Sequence, residues 1–405
     1  MTDVVIIGAG PAGLSAAITC AEHGLKARVI DEFIKPGGRL LGQLHQEPNG
    51  DWWNGIDEAN KLLQRACELG IQINTGTPVH HLQKIDSGWM IHTSNEIIET
   101  PRVLLATGAA EHPSPIPGWT LPGVMSIGAA QVMTNVHRVK VGQNGIIIGV
   151  NILGTAIARE LKLAGISISS MVLPPLHNLS KDSGDPEKVF ESLLRVSHLA
   201  PSPFIRIGSR LMKTEWLKRL GISFYPKTGV KMWNIPVQIR KAATRIIGKD
   251  QVEGVEVVNV STKGEPIKGT ERIIPVDFVC IAGGLYPLAE LAAVSGCPFH
   301  YIKELGGHIP LHNERMETPV DGLYVAGNIT GIESAKVAMK QGIVAGYSII
   351  HSTGTVEVNH LLQNAIEDVN NTRKNATIQF HPNILEGRKK IQKYWVEFHK
   401  VEKSS

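Results

Sequence analysis

The sequence predicts an α/β protein with two nested, Rossmann-like dinucleotide-binding domains. Residues 4–32 have the pattern of a buried strand, a glycine turn, an apolar helix and a second strand. Residues 145–173 repeat this pattern with one glycine replaced. Two later apolar strands, within residues 276–284 and 319–328, end in small residues and predict that the chain returns to the first domain.

Composition sets the class of protein. The chain has 405 residues, 19% charged and 42% hydrophobic, which is typical of a globular protein of two or three domains. Its net charge of +4 is too small to indicate a nucleic-acid partner. Every long apolar run is interrupted, and no basic segment precedes the first strand, so we expect no membrane span, no secretory signal and a cytoplasmic location.

The cysteines argue against several kinds of site. Cys20, Cys67, Cys280 and Cys297 form no CxxC motif and no metal-ligand spacing. We therefore expect them to be small core residues and the chain to hold no metal, no iron–sulfur cluster and no redox disulfide.

The first glycine loop follows the strand at Val4–Ile7. Gly8 permits the tight turn, Gly10 lets the backbone approach a pyrophosphate, and Gly13 lets the helix lie close to the strand. Pro11 suits the first helical turn, because no backbone N–H is needed there.

An acid closes the second strand of this unit. Asp31 lies about twenty residues past the loop, where a carboxylate accepts hydrogen bonds from a ribose diol, and Glu32 is the neighbouring candidate. A glycine loop with this context predicts a dinucleotide site far more specifically than the glycines alone.

Further motifs carry a resemblance to a known family. "KPGGR" (35–39), "VLLATGA" (103–109) and "PVDGLYVAGN" (319–328) resemble motifs of the two-dinucleotide-binding-domain flavoproteins, which have the glutathione- and thioredoxin-reductase-like fold. "ATGAAEHPSPIPGWTLPGVMSIGAAQVM" (106–133) and "VAGNITGIESAKVAMKQG" (325–342) are more specific. They resemble the FAD-containing α (B-type) subunits of octopine and nopaline oxidase, hydrogen cyanide synthase, dye-linked proline or hydroxyproline dehydrogenase and sarcosine oxidase. The resemblance runs from residue 1 to about 350.

The resemblance implies FAD in the first site and an FAD-dependent oxidoreductase acting on an amine, amino acid or imino acid. It implies a hetero-oligomer with a β subunit that oxidises the substrate, and possibly a small iron–sulfur subunit. The candidate cofactor-binding residues are Gly8, Gly10, Pro11, Ala12, Gly13, Asp31, Glu32, Gly38, Arg39, Val79, Thr107, Gly108, Gly327, Asn328, Ser334 and Ala335. The helix that starts near Ser334 is expected to direct its N-terminal amides at the flavin.

Three departures from the family pattern stand out. Arg39 replaces a usual Gln, so its guanidinium reaches either the flavin and phosphates or the acids Asp31 and Glu32. Asn328 replaces a usual Asp, so its amide either binds the cofactor or caps a turn. Since no cysteine follows Cys297, any iron–sulfur cluster belongs to another polypeptide.

The second glycine loop is altered. Gly149 and Gly154 keep the outer positions, but Asn151 replaces the glycine that allows pyrophosphate contact. The strand at 167–173 ends in Pro174 with neither an acid for a ribose nor a basic pair for a 2′-phosphate. This site is predicted to bind NAD(P)H, another nucleotide such as ATP, or nothing.

We expect an FAD domain at 1–110 and 275–355, an inserted domain at 111–274, and a helical tail at 356–405 that either packs on the body or binds a partner. The basic stretch 206–249 is either a solvated face or a docking surface. No catalytic acid or base is identified. His112 is a weak candidate for a polar residue near the flavin.

Two alternative functions remain at this stage. The first is a stand-alone NAD(P)H-dependent reductase of the same fold without redox cysteines. The second is a non-catalytic scaffold subunit with a structural flavin. A competent second nucleotide site would favour the reductase, and a flavin that no donor reduces would favour the scaffold.

Overall fold

The computed structural model describes residues 2–47, 50–195, 214–376 and 379–402. The chain folds into two compact units. The first unit consists of Met1–Gln43, Asn54–Ala110 and Leu285–Ser405, and the second of Leu44–Trp53 and Glu111–Gly284. Among the described residues, every helix is too short or too polar to cross a bilayer.

Strands alternate with helices along most of the chain. The strands are β1 (Val4–Ile7), β2 (Ala27–Ile30), β3 (Leu44–Gln46), β4 (Trp52–Asn54), β5 (Gln72–Asn74), β6 (Val79–Ile85), β7 (Gly88–Thr93), β8 (Ile97–Thr100), β9 (Val103–Leu105), β10 (Ala109–Glu111), β11 (Val124–Ser126), β12 (Asn144–Ile148), β13 (Ser167–Leu173), β14 (Val230–Met232), β15 (Ile235–Ile247), β16 (Gly254–Asn259), β17 (Arg272–Pro275), β18 (Phe278–Ile281), β19 (Leu285–Pro287), β20 (Phe299–Ile302), β21 (Gly307–Pro310) and β22 (Leu323–Val325).

The α-helices of the described residues are α1 (Pro11–Glu22), α2 (Gly55–Glu68), α3 (Ile127–Asn135), α4 (Ile152–Leu163), α5 (Pro186–Arg195), α6 (Glu215–Ser223), α7 (Glu290–Val294), α8 (Ala335–Thr353), α9 (Asn359–Lys374) and α10 (Ile384–Glu402). Short 3-10 turns occupy Gly38–Gly42 and Gly327–Thr330.

A parallel sheet forms the centre of the first unit. Its strand order is β22-β9-β1-β2-β5, and β1 pairs in parallel with both β2 and β9. All four residues of β1 are buried, as a continuous apolar run predicts for a strand covered on both faces. Helices α1 and α8 approach closely, since a Cβ on Gly342 would lie 2.1 Å from the Ala12 carbonyl oxygen.

The second unit has its own mixed sheet. The order is β11-β18-β12-β13-β15-β16-β17, with β14 paired to β15. The strands β11, β18, β12, β13 and β15 run parallel, and β16 pairs antiparallel with both β15 and β17. The predicted βαβ repeat thus occurs as β12, α4 and β13 within this unit.

The division of the chain differs from the expected boundaries in three places. Residues 44–53 and 275–284 belong to the second unit, because β3, β4 and β18 make their contacts there. The tail packs within the first unit: Leu362 and Ile366 of α9 join the core that α8 helps to form, and Ile391 of α10 is fully buried.

Two other expectations need comment. Cys67 is exposed on α2, so the expectation that all four cysteines are core residues was wrong for this one, whose position lies on the solvent face of an amphipathic helix. Part of the basic stretch, residues 206–213, lies outside the described residues.

A buried carboxylate attaches β3 to the rest of the second unit. Glu160 of α4 accepts hydrogen bonds from the Leu44 N–H at 3.2 Å, from Gln131 Nε2 at 2.7 Å and from Asn135 Nδ2 at 2.9 Å. Burial raises the pKa of Glu160 to about 7, although its three donors oppose that shift. The contact between β3 and α4 thus includes one titratable group.

This pKa predicts how stability depends on pH. Because the folded pKa of about 7 exceeds the ordinary value of 4.5, the folded state holds the Glu160 proton more tightly than the unfolded chain does. The contribution of Glu160 to the free energy of unfolding is therefore fully present below pH 4.5 and is lost as the pH rises to about 7. Denaturant unfolding between pH 5 and pH 8, for the wild type and Glu160→Gln, measures it.

We expect Glu160→Gln to flatten this pH dependence, and the exposed control Glu265→Gln to leave it unchanged. Equal slopes in the wild type and Glu160→Gln would contradict the assignment.

Candidate dinucleotide sites

Two glycines of the first loop are required by close backbone packing. Gly8 has φ +110°, and a Cβ there would lie 2.3 Å from the Ala106 carbonyl oxygen. A Cβ on Gly13 would lie 1.9 Å from the Gly8 carbonyl oxygen, so α1 reaches β1 only because this residue has no side chain. These two positions thus set the geometry of the loop.

Gly10 differs from both, because no atom beyond its own chain neighbours lies within 4 Å of the Cβ position built on it. It is the N-cap residue of α1, and no side chain caps this helix end. Pro11 begins the helix, as predicted. An uncapped helix N-terminus behind open space suits an anionic group, since the end carries unpaired N–H donors and a partial positive charge. The residues present therefore fit a pyrophosphate.

Asp31 also has a structural role that the sequence did not reveal. Its Oδ2 accepts a hydrogen bond from the Ala9 N–H at 2.6 Å, and its Oδ1 accepts one from the Phe33 N–H at 2.7 Å. Burial raises the pKa of this carboxyl, and the two N–H donors oppose the shift. Asp31 thereby fixes the turn between β1 and α1. Each oxygen keeps a further lone pair for a ribose hydroxyl.

The segment after Asp31 packs on the loop. The Gly37 N–H donates to the Ala9 carbonyl at 2.8 Å, and a Cβ on Gly38 would lie 2.9 Å from Gly10 Cα. Arg39 donates from Nε and Nη2 to the Ala109 carbonyl oxygen, at 3.3 and 2.9 Å. The guanidinium thus joins the 3-10 turn at Gly38–Gly42 to Ala109, the first residue of β10.

Residues after β9 and at the start of β6 complete this side of the candidate site. Thr107 Oγ1 donates to the Leu288 carbonyl at 2.5 Å, and the Leu288 N–H donates to Gly108 at 3.1 Å. Gly108 has φ +79° with open space around its Cβ position. Val79 is the first residue of β6 and is partly buried against the core of the first unit.

The end of β22 is held by a side-chain amide. The Gly327 N–H donates to Gln341 Oε1 at 2.9 Å. Asn328 Oδ1 accepts from the Glu333 N–H at 3.1 Å, so the asparagine closes a turn before α8. Ser334 is the N-cap of α8, and its hydroxyl accepts from Val337 at 3.4 Å, so the helix begins at Ala335 as expected. Gln341 and Glu333 were not identified from the sequence.

The second glycine loop has the same outer geometry and a different centre. Gly149 has φ +117°, and a Cβ there would lie 2.3 Å from the Ala282 carbonyl oxygen. Asn151 is the N-cap of α4: its Oδ1 accepts from the Gly154 N–H at 2.8 Å and its Nδ2 donates to Ala282 at 2.8 Å. A side chain of the protein itself satisfies the donor that an anion would use.

Several other candidate groups have defined surroundings. His112 lies in the second unit, where its backbone N–H donates to the Gly284 carbonyl oxygen at 2.9 Å. Burial lowers the pKa of its imidazole. Burial raises the pKa of Cys20 and of Cys297 to about 12, so both thiols stay protonated. Within the described ranges, His, Cys, Asp and Glu form no group of three that could hold a metal ion.

The parallel sheet, the uncapped loop at Gly10 and the acid at Asp31 are the features of a Rossmann-like dinucleotide-binding domain. Residues 2–342 match the family model described as pyridine nucleotide-disulphide oxidoreductase, and the chain belongs to this family. It is an FAD-dependent oxidoreductase, which confirms the expected fold class and cofactor.

Curated relatives agree with the predicted resemblance. The chain is 27% identical over 364 residues to an opine oxidase subunit of Agrobacterium tumefaciens (strain Ach5), covering 86% of this chain and 65% of the relative. It is 24% identical over 375 residues to the hydrogen cyanide synthase subunit HcnB of Pseudomonas protegens, covering 89% and 72%. The chain thus spans about two thirds of the length of these relatives.

Solved structures share the fold. The crystal structure of L-proline dehydrogenase from P. horikoshii has a TM-score of 0.64 at 18% identity, covering 91% of this chain and 58% of that chain. The crystal structure of T. acidophilum thioredoxin reductase has a TM-score of 0.60 at 20% identity, covering 87% and 99%.

The contrast between Gly10 and Gly13 gives a paired test of the first site. Gly10 has φ −78° and ψ −175°, an extended conformation that valine adopts readily, so Gly10→Val should fold. We expect its FAD affinity to fall at least tenfold, about 1.4 kcal/mol, because the branched side chain fills the space of the pyrophosphate. The flavin-to-protein absorbance ratio and far-UV circular dichroism measure both effects.

Gly13→Ala should instead lose both fold and flavin, because its methyl group meets backbone at 1.9 Å. Full flavin content in Gly10→Val would exclude this loop as the FAD site.

Proposed function

We propose that this chain is the FAD-containing α subunit of a multi-subunit dehydrogenase or oxidase. Its substrate class would be an amine, amino acid or imino acid, such as an opine, proline, hydroxyproline or sarcosine. Support comes from relatives named as subunits of opine oxidase and hydrogen cyanide synthase, which align with 86% and 89% of this chain. A sarcosine oxidase α subunit of Rhizobium meliloti is 30% identical over 191 residues, covering 42% of this chain and 18% of the relative.

We further propose that the FAD of this chain relays electrons. One observation carries this role: the N-termini of α1 and α4, which occupy equivalent positions in the two βαβ units, differ. The N-terminus of α1 has no side-chain cap, and the space at Gly10 is open. The N-terminus of α4 is capped by Asn151, whose side chain also bonds the strand end at Ala282. A pyrophosphate at α4 would have to displace both hydrogen bonds. This favours a chain that keeps its FAD site and takes electrons from a source other than NADH.

Bound FAD supplies electron transfer in steps of one or two electrons. The protein residues supply binding and orientation. The α1 N-terminus and Gly10 receive the pyrophosphate, Asp31 is placed for the ribose, and Gln341 with Asn328 fixes the segment that leads into α8. The N-terminus of α8 favours negative charge that develops nearby.

Thiol chemistry does not fit this chain, although the family name includes disulphide reduction. The sequence has no CxxC motif, and three of its four cysteines are buried. Electrons therefore enter and leave through partners rather than through a redox disulfide. We propose that a β subunit oxidises the substrate and passes the electrons to this FAD, and that a further component, a separate small iron–sulfur protein, accepts them from it.

The first experiment uses the purified chain with its FAD. NADH is added anaerobically while the visible flavin band is followed. We expect no rapid bleaching by NADH, and bleaching by an amino or imino acid once the β subunit is co-expressed. Rapid bleaching by NADH alone would replace the proposal with a stand-alone reductase, and a flavin that no donor reduces would replace it with a scaffold.

Asn151 offers a direct test of the second site. Asn151→Gly removes the side chain at a cost to α4 of only a few tenths of a kcal/mol. We expect tighter NADH binding in this variant, because the helix N–H groups become available to a pyrophosphate. NADH titration by fluorescence measures the effect.

The control Asn151→Asp keeps the capping oxygen and adds a negative charge, so it should bind NADH no better than the wild type. Unchanged affinity in Asn151→Gly would show that Asn151 does not block the site.

A further inference from the structure

A buried charge cluster joins the N-terminus of α8 to the two C-terminal helices. Arg373 of α9 donates to Glu333 from Nε at 2.5 Å and from Nη2 at 3.2 Å. Arg388 of α10 donates to the same carboxylate from Nη2 and to the Thr330 carbonyl from Nη1 at 2.9 Å. The side chains of Glu333, Arg373 and Arg388 are only 6%, 6% and 11% exposed.

The charges of this cluster do not balance. Two guanidinium groups share one buried carboxylate, so the ion pairs of Glu333 with Arg373 and Arg388 leave one positive charge without a buried counter-charge. The other carboxylate in the lining of the adjacent cavity, Glu314, is exposed to solvent. Burial lowers the pKa of Arg388 to about 10, so this residue stays charged at neutral pH. His312 is neutral at pH 7 and does not change this balance. Its Nδ1 donates to the Pro310 carbonyl at 2.8 Å, and burial together with Arg388 lowers its pKa to about 3.

The helix ends do not restore the balance either, because the N-terminus of α8 adds partial positive charge and the C-terminus of α9 adds partial negative charge. An unpaired buried charge is costly, so proteins pair such charges or bind a counter-ion.

A cavity lies beside this surplus charge. Its volume is about 70 Å³, several times the ~10–15 Å³ that one water molecule needs. Its lining includes Arg373, Arg388, Asn370 and Gln392, and the exposed Glu314 lies at its edge. Arg388 Nε is buried and has no hydrogen-bond partner. Such an atom in a native protein calls for a ligand or a bound water.

We propose that this cavity binds a small planar monovalent oxyanion of the carboxylate or nitrate type. The charge of one such ion equals the surplus charge of the cluster. Guanidinium and amide N–H groups are the donors that suit a planar oxyanion, and the apolar members of the lining limit its size. Because Glu333 donates its backbone N–H to Asn328, an ion held here is linked by two contacts to the segment that precedes α8.

Thermal unfolding of the flavin-loaded chain tests the proposal with acetate and nitrate as probes. Each is compared with chloride and with sulfate at equal ionic strength, so that general screening is constant. We expect the melting temperature to rise with acetate or nitrate and to saturate, as linkage requires for binding to the folded state. Isothermal titration with acetate gives the affinity directly. Response to acetate but not nitrate would identify a carboxylate, and the reverse an inorganic ion.

Variants separate binding from folding. Arg388→Met removes the surplus charge while keeping apolar volume, and we expect it to fold and to lose the acetate response. Glu314→Gln removes a repelling charge at the cavity edge and should tighten acetate binding severalfold. This second variant keeps the test valid if Arg388→Met does not fold. The matched control Lys340→Met breaks an exposed ion pair with Asp368 and should leave acetate binding unchanged.

Each other outcome overturns the proposal. Equal responses to all four salts, or none, would show that water alone fills the cavity. An acetate response that persists unchanged in Arg388→Met would place the ion elsewhere. Loss of FAD in Arg388→Met, with no acetate binding by the wild type, would make the flavin nucleotide the counter-charge. These readouts are independent of the donor that reduces the flavin, so failure here leaves the proposed function untouched.

Discussion

Close contact between backbone segments at the first glycine loop is the constraint on which the first unit depends. Helix α1 touches the β1 turn at Gly13, the turn touches the β9 end at Gly8, and α8 touches α1 at Gly342. Each contact excludes a Cβ atom, so these elements assemble only with glycine there. Gly10 is the exception, since it faces open space. The loop therefore combines two glycines that close backbone packing requires with one that faces open space.

The two glycine loops share their backbone geometry and differ in the side chain at the middle position. In both loops the first glycine has a positive φ. A Cβ on Gly8 would meet the Ala106 carbonyl oxygen, and a Cβ on Gly149 would meet the Ala282 carbonyl oxygen. Only the middle position differs, where Asn151 supplies its own acceptor to α4. A helix end that a side chain satisfies gains less from an external anion than an uncapped one. Fold and ligand are thus specified by separate positions in the same motif.

Much of the architecture follows from local sequence signals. The apolar run at Val4–Ile7, the glycine loop and the N-cap at Ser334 are contiguous patterns, and the structure has the expected strand and helices there. The assignment of residues 44–53 to the second unit could not be predicted, because it depends on contacts with Glu160 over 100 residues away in the chain. The Glu333 cluster was missed for the same reason: its arginines lie 40 and 55 residues along the chain. Single charged residues in polar helices carry no local sign of burial.

The order of the segments along the chain has a consequence for biosynthesis. All segments of the second unit have been synthesised once residue 284 is added, whereas the first unit still lacks β22 and α8. The small-residue face of α1 must therefore wait until α8 has been made before its helix partner exists. During that interval it is an exposed surface on which a nascent chain can aggregate. The core of the first unit is consequently completed only late in synthesis, after α8 has been made.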